Sequence, residues 1–182
     1  MEPDAALVAR AAAGDREAFG VLVLRYQESV RRVTRAVTGN ADDADDAGQD
    51  AFLSALDRLE TYDPSRPIGP WLMRIASNAA IDLVRRRTVR AAQPLEPDAA
   101  APGPTPAADA ESAEIRAAFA AALAELTPRQ RAAVTLFDVE GYAHAEIAKM
   151  LRVPEGTVRS DVFHARRVLR KRLRVYAPET EE

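Results

Sequence analysis

An all-α protein built as two helical blocks is predicted by three features of this 182-residue chain. Aromatic residues make up only 5% of it, Ala, Leu, Arg and Glu are abundant, and apolar residues recur at spacings of three and four. No stretch alternates apolar and polar residues as a strand does. Between the blocks the text changes to "AAQPLEPDAAAPGPTPAADAES", rich in Pro and Ala with acids and no bases.

In the first block helices are expected near 4–13, 15–37, 41–60 and 67–89. Turn signals at Gly14-Asp15, Gly39-Asn40 and "DPSRP" separate them. From Ala91, repeated proline removes backbone donors and restricts φ, which predicts an extended, semi-rigid linker over 91–111. The second block, 112–176, is expected to hold helices near 112–126, 128–139, 143–151 and 155–174, followed by a short tail at 177–182. "TPRQ" is built as a helix start: Thr127 caps, Pro128 sits where no donor is missed, and Gln130 completes a capping-box spacing. Gly141 supplies a stop.

Charge is unevenly spread. The formal net charge is −3 and the sequence pI about 5.6. Residues 1–90 nevertheless sum to −1, 91–114 to −5 and 115–182 to +3. With no cysteine, disulfides and thiolate metal sites are excluded. His144 and His164 are the two histidines, "HAE" lacks the second His of a zinc-protease helix, and neither metal nor cofactor is expected. No apolar run approaches the roughly 18 residues of a membrane span, and "MEPDAALVAR" is unlike a signal peptide. A cytoplasmic protein is the expectation.

Two passages carry chemistry. "AHAEIAKMLRVPEGTVRSDVFHARR" has the length and pattern of a helix-turn-helix, with a tight turn around "RVPEG". On the second helix Val158, Val162, Ala165, Leu169 and Leu173 form an apolar stripe. Arg159, Ser160, Phe163, Arg167 and Arg170 lie on the other side, suited to phosphates and base edges. Asp161 falls between the faces, nearer the buried edge. "GPWLMRIASNAAIDLVRRR" puts Leu72, Ile75, Ala76, Ala79 and Leu83 on a broad apolar side, with Arg74, Asn78 and Arg85 aligned beside Trp71. An amide, an aromatic plane and arginines on one face can hold an unstacked base and its phosphates. Trp71 as a core anchor and Asn78 as an exposed polar residue fit the same pattern.

These passages, with "GDREAFGVLVLRYQESV", "DDADDAGQDAFLSAL" and "LTPRQRAAVTLFDVEGYAHAEIAKMLRVPEGTVRS", resemble in order and spacing the extracytoplasmic-function (ECF) group of bacterial sigma factors, in the sigma-70 family. The likeness covers nearly the whole chain. It implies a protein that is not an enzyme, that binds core RNA polymerase and directs promoter recognition, DNA melting and transcription initiation. Residues 1–90 would be region 2 and residues 112–176 region 4. The resemblance places Gln49, Asp50 and Phe52 at the polymerase β′ clamp helices, the β subunit being a further contact. It places Asn78 near the pocket for a flipped base of the −10 element, with Trp71, Arg74, Asp82, Arg85 and Arg86 along the adjoining surface. On the recognition helix Arg159, Ser160, Phe163, His164 and Arg167 fall where the group meets the −35 element. The group often has basic residues at the positions of Asp161 and His164; here Asp161 is left either to pair with a neighbouring cation or to disfavour some −35 sequences. The linker would occupy the polymerase cleft, and an anti-sigma factor is an expected partner.

Two other readings fit parts of the chain. "DDADD" contains the DDxxD spacing with which isoprenoid synthases hold magnesium and diphosphate, but a second acidic motif is absent and the chain is short. A dimeric helix-turn-helix regulator would account for "EGTVRS" and leave the arginine and asparagine face of 71–86 without a role.

Overall fold

A computed structural model describes residues 2–63, 65–91 and 110–176. Among them are eight α-helices and no strand: α1 (Asp4–Ala12), α2 (Arg16–Thr38), α3 (Ala41–Asp57), α4 (Ile68–Ala91), α5 (Ala110–Ala124), α6 (Pro128–Asp138), α7 (His144–Leu151) and α8 (Glu155–Leu173). The expected linker lies almost entirely outside the described residues, as does the tail.

The helix starts and stops follow local chemistry. Asp15 caps α2 by accepting the N–H groups of Glu17 and Ala18 at 3.0 and 3.1 Å, and Gly39 ends that helix at φ 83°, a conformation that a Cβ disfavours. Asn40 then caps α3 through the Asp43 N–H at 2.8 Å. The helix expected over 41–60 divides: α3 ends at Asp57, Arg58 leaves helical geometry, and a 3₁₀ turn over Leu59–Thr61 follows. That break turns Leu59 into the core beside Leu7, Leu22 and Ile68. Thr127 and Gln130 form the expected reciprocal box at the start of α6.

Within the first block, α2, α3 and α4 pack on one another, with α1 laid across α2. Val30, Val33 and Val37 of α2 meet Ala47, Ala51 and Ala55 of α3 and Leu72, Met73, Ala76 and Ala80 of α4. Small residues on α3 let the three helices approach closely. Asp43, buried in the "DDADD" turn, is held by Arg87 at 2.6 Å and by the Asn40 amide. This carboxylate therefore ties the start of α3 to the end of α4.

In the second block, α6 and α5 flank α8, while α7 and α8 form the helix-turn-helix pair. Arg152 closes α7 in the left-handed region at φ 55°, and Pro154 stops the chain from continuing as helix. Val158, Val162 and Ala165 of the expected stripe are buried, and Leu169 and Leu173 are half-buried toward the open end of α8.

The two blocks share a core. Ala132, Ala133 and Leu136 of α6 and Ile147, Met150 and Leu151 of α7 belong to the same buried cluster as the α2, α3 and α4 residues. Gly69, at the start of α4, allows this approach: a Cβ there would lie 3.1 Å from the Tyr142 hydroxyl and 3.3 Å from the Tyr26 ring.

Candidate nucleic-acid and polymerase interfaces

The first turns of α4 and the loop before it enclose a cleft of about 410 Å³. Trp71, Arg74, Tyr62 and Arg66 line it from the first block, and Glu146 and Lys149 of α7 face them. The rings of Tyr62 and Trp71 meet at 4.9 Å with their planes 53° apart. Burial raises the Tyr62 pKa, and its hydroxyl donates to the Arg66 carbonyl, which shapes the loop. At the loop's exposed rim the Ser65 hydroxyl and then its N–H lower the Asp63 pKa. Trp71 is half-buried, packed against both first-block cores while bordering the cleft. The core-anchor reading is thus seen in the packing, while the ring also borders the cleft.

Asn78 lies one turn beyond Arg74. Its side-chain amide donates to the Arg74 carbonyl at 2.6 Å and, across the block boundary, to the Met150 carbonyl at 3.1 Å. Asp82, Arg85 and Arg86 are exposed further along α4 and share an open groove with Asp50 of α3. The groove brings together residues expected to meet −10 DNA and one expected to meet polymerase. Gln49 is exposed beside it, whereas Phe52 is half-buried and packs on the core.

On α8, Arg159, Ser160, Phe163 and Arg167 are exposed on one side and His164 is half-buried. Phe163 stands 70% exposed, an unusual placement for a large ring that nothing in its own block covers. Arg159 is paired with Glu155 at 2.6 Å, one turn back, and an Arg167 amino group lies 3.4 Å from His164 Nδ1. Asp161 is buried and accepts the Arg129 Nε–H at 2.7 Å. Of the two roles open to it in the sequence, pairing with a cation is the one seen. Arg166 pairs with Asp138 and sits 4.9 Å above the Phe137 ring, and that ring stacks on His144 at 4.2 Å. His144 is therefore a packing residue.

Arg129, Arg131, Arg32, Glu140 and Tyr142 were not singled out in the sequence. Arg131 donates to the Leu126 carbonyl at 3.1 Å and the Val37 carbonyl at 2.9 Å, and burial lowers its pKa. Arg32 holds Glu140 at 2.7 Å. These partners lie up to 108 residues apart, so no local spacing announces them. Among the described residues no group of three or more His, Asp or Glu is placed to hold a metal ion. None of their helices is long and apolar enough to cross a membrane.

Comparison with known proteins agrees with this geometry. The sigma-70 region 2 family model matches residues 22–90 and the sigma-70 region 4 model residues 116–169. The chain is similar to the ECF RNA polymerase sigma factor SigM of Mycobacterium tuberculosis, with 40% identity over 165 residues, covering 90% of this chain and 81% of the relative. Among solved structures it resembles CnrH in complex with the cytosolic domain of CnrY at a TM-score of 0.69 and 30% identity, over 96% of this chain and 99% of that one. The fold is also that of the sigma factor RpoE of Bartonella quintana in complex with the anti-sigma factor NepR, at a TM-score of 0.69 and 23% identity, over 87% and 98% of the two chains. With two region models matched in order on one helical scaffold, the chain belongs to the extracytoplasmic-function group of the sigma-70 family.

Proposed function

We propose that this ECF sigma factor, which binds core RNA polymerase and directs it to promoters, divides the work between two DNA-facing surfaces and one polymerase-facing surface. Residues 1–90 act as region 2 and 112–176 as region 4, with 91–111 as the spacer and 177–182 as a tail. The face of α4 bearing Trp71, Arg74, Asn78, Asp82, Arg85 and Arg86 takes the −10 strand. The flipped base enters the cleft beside Trp71, and the arginines follow the phosphates. Unstacking a base costs a few kcal/mol, which pocket and phosphate contacts can offset without ATP. The protein works by binding and not as an enzyme.

The observation that carries this reading is the division of α8. Val158, Val162 and Ala165 are buried and fix the helix, while Arg159, Ser160, Phe163 and Arg167 are left exposed, with contacts of Arg159 and Arg167 only to neighbours on the same helix. That is how a recognition helix is presented to a major groove at the −35 element, with His164 at its margin. Gln49 and Asp50 offer the exposed contacts to the β′ clamp helices, Phe52 supports them from beneath, and region 4 faces the β subunit. A cytoplasmic site of action follows from the polymerase partner. An anti-sigma factor is the further partner; the solved relative CnrH is itself bound to another protein's domain.

The deciding experiment compares promoter binding by the purified protein alone with binding in the presence of core polymerase, using run-off transcription as the readout. Strong binding and transcripts only with polymerase are expected. Tight duplex binding at nanomolar concentration by the protein alone, as a dimer, would replace this reading with that of a conventional regulator.

A further inference from the structure

Among the arginines of α8, Arg166 is engaged with the neighbouring helices of its block. Its Nε–H donates to both carboxylate oxygens of Asp138, at 2.9 and 3.1 Å, and an amino group adds a further bond to the same carboxylate. Asp138 is the last residue of α6, where the helix dipole disfavours an acid and favours the cation that Arg166 brings. The guanidinium carbon lies 4.9 Å from the centre of the Phe137 ring. His144, the first residue of α7, stacks on that ring at 4.2 Å with the planes 22° apart. The end of α6, the start of α7 and the middle of α8 therefore meet in one cluster of four side chains.

A second ion pair joins the same two helices with the opposite polarity: Arg129, in the first turn of α6, holds Asp161 of α8. At about 100° per residue, Asp161 and Arg166 fall on opposite flanks of the buried stripe of Val158, Val162 and Ala165. An apolar stripe alone lets a helix roll, because hydrophobic contact is non-directional; a charged pair on each flank does not. Arg166 is on the flank that continues into Arg159, Phe163 and Arg170. We infer that Arg166, with Asp138, Phe137 and His144, is a positioning residue for −35 recognition: it sets the roll of α8, and so the aim of Arg159 and Phe163, without touching DNA itself. The inference rests on the reading of α8 as the −35 reader. A roll of about 15° moves a side-chain tip on a radius of about 5–6 Å by about 1.5 Å, more than a base-edge hydrogen bond confined to about 2.7–3.2 Å tolerates. Discrimination among −35 sequences therefore depends on a cluster outside the reading surface.

Holoenzyme assembled with each variant of the full chain is titrated with promoters that differ only in the −35 element, over a range of salt concentration. The Arg166 and Asp138 side chains are 48% and 32% exposed, so their substitution leaves the apolar core in place, which unfolding midpoints check. Arg166→Gln, Arg166→Lys and Asp138→Ala should each narrow the ratio of affinities between the preferred and substituted −35 elements by about fivefold or more, as when a bidentate base contact is misaligned, with the salt dependence unchanged. Lysine fails because a point charge neither forks a carboxylate nor stacks on a ring. His144→Ala should narrow the ratio too, and His144→Phe, which keeps a ring on Phe137, should restore it. A phosphate contact predicts otherwise. Arg166→Lys would keep affinity, Arg166→Gln would weaken all promoters alike and lower the salt slope by about 1, and Asp138→Ala, by freeing the cation, would strengthen them all. That pattern, or parental ratios in the Arg166 and Asp138 variants, would overturn the positioning role while the −35 reading stands. If the parent holoenzyme shows no −35 preference, that reading fails and the inference falls with it.

Discussion

Asp161 of α8 and Arg129 of α6 form an ion pair at 2.7 Å, with the carboxylate buried and the guanidinium half-exposed. The pair explains an acid in the most basic stretch of the chain: it fixes the rotation of α8 about its own axis. Hydrogen bonding to Asp161 is the main cause of the raised Arg129 pKa. Arg129→Ala would strand a carboxylate in the core and should destabilise the protein by about 1–2 kcal/mol, less than for a fully buried pair because Arg129 reaches solvent. Arg129→Ala with Asp161→Ala should recover part of that loss. Urea unfolding of the two singles and the double checks it; additive losses would show that the two side chains do not cooperate.

The hinge between α1 and α2 should make stability depend on acid. Ala18 N–H is the largest cause of the lowered Asp15 pKa, followed by the Arg10 side chain. Because the folded-state value lies below the unfolded one, this contribution is complete above the ordinary aspartate range and is lost as pH falls through the depressed folded value. Asp15→Asn keeps a capping oxygen and removes the charge. Thermal unfolding from neutral pH downward should show the parent losing its advantage over Asp15→Asn only below about pH 4; parallel curves throughout would contradict the assignment.

Arg159 is exposed at the first turns of α8, and Glu155 holds it in place. In the complex it would exchange that carboxylate for a base edge or phosphate. Arg159→Ala should weaken promoters that depend on the −35 element by about 1–3 kcal/mol if the contact is bidentate, with preference relaxed at one base position. Holoenzyme binding to a panel of −35 variants measures this. A uniform loss across the panel would reassign Arg159 to the phosphates.

The pattern of helices, the capped start of α6 and the exposed face of α8 were legible in the sequence because each follows from neighbours within a few residues. Asp161 could be placed near the buried edge by helical geometry alone. Its partner could not, since Arg129 is 32 residues away and many arginines compete for the role. The split at Arg58 was missed because "LSALDRLE" keeps a helical apolar spacing through the break; only the demand for Leu59 in the core decides it. The contact between the blocks was invisible for a related reason. Ala132, Ala133 and Ile147 read as ordinary helix residues, and nothing local records that they face α2 and α4.

Asp50 is exposed on α3 and borders the groove that also holds Asp82, Arg85 and Arg86. A charge reversal there acts on a surface without disturbing the core. Asp50→Lys should reduce co-purification with core polymerase while leaving the unfolding midpoint of the free protein nearly unchanged, within about 0.5 kcal/mol. Undiminished co-purification would remove Asp50 from the polymerase-binding face.

Asn78 joins two functions in one side chain, since the amide that reaches the Met150 carbonyl is the group proposed to meet the flipped −10 base. Asn78→Ala removes both bonds. In the holoenzyme the variant should form closed complexes normally and open them poorly, because one base contact is gone while the phosphate contacts proposed for Arg85 and Arg86 persist. Permanganate reactivity of −10 thymines measures opening directly, and gel retardation of duplex promoter measures the closed complex. Loss of a single hydrogen-bonded base contact is worth about 1–3 kcal/mol, so opening should fall by roughly tenfold or more at equal occupancy. Full reactivity in the variant would show that some other residue of α4 holds the base.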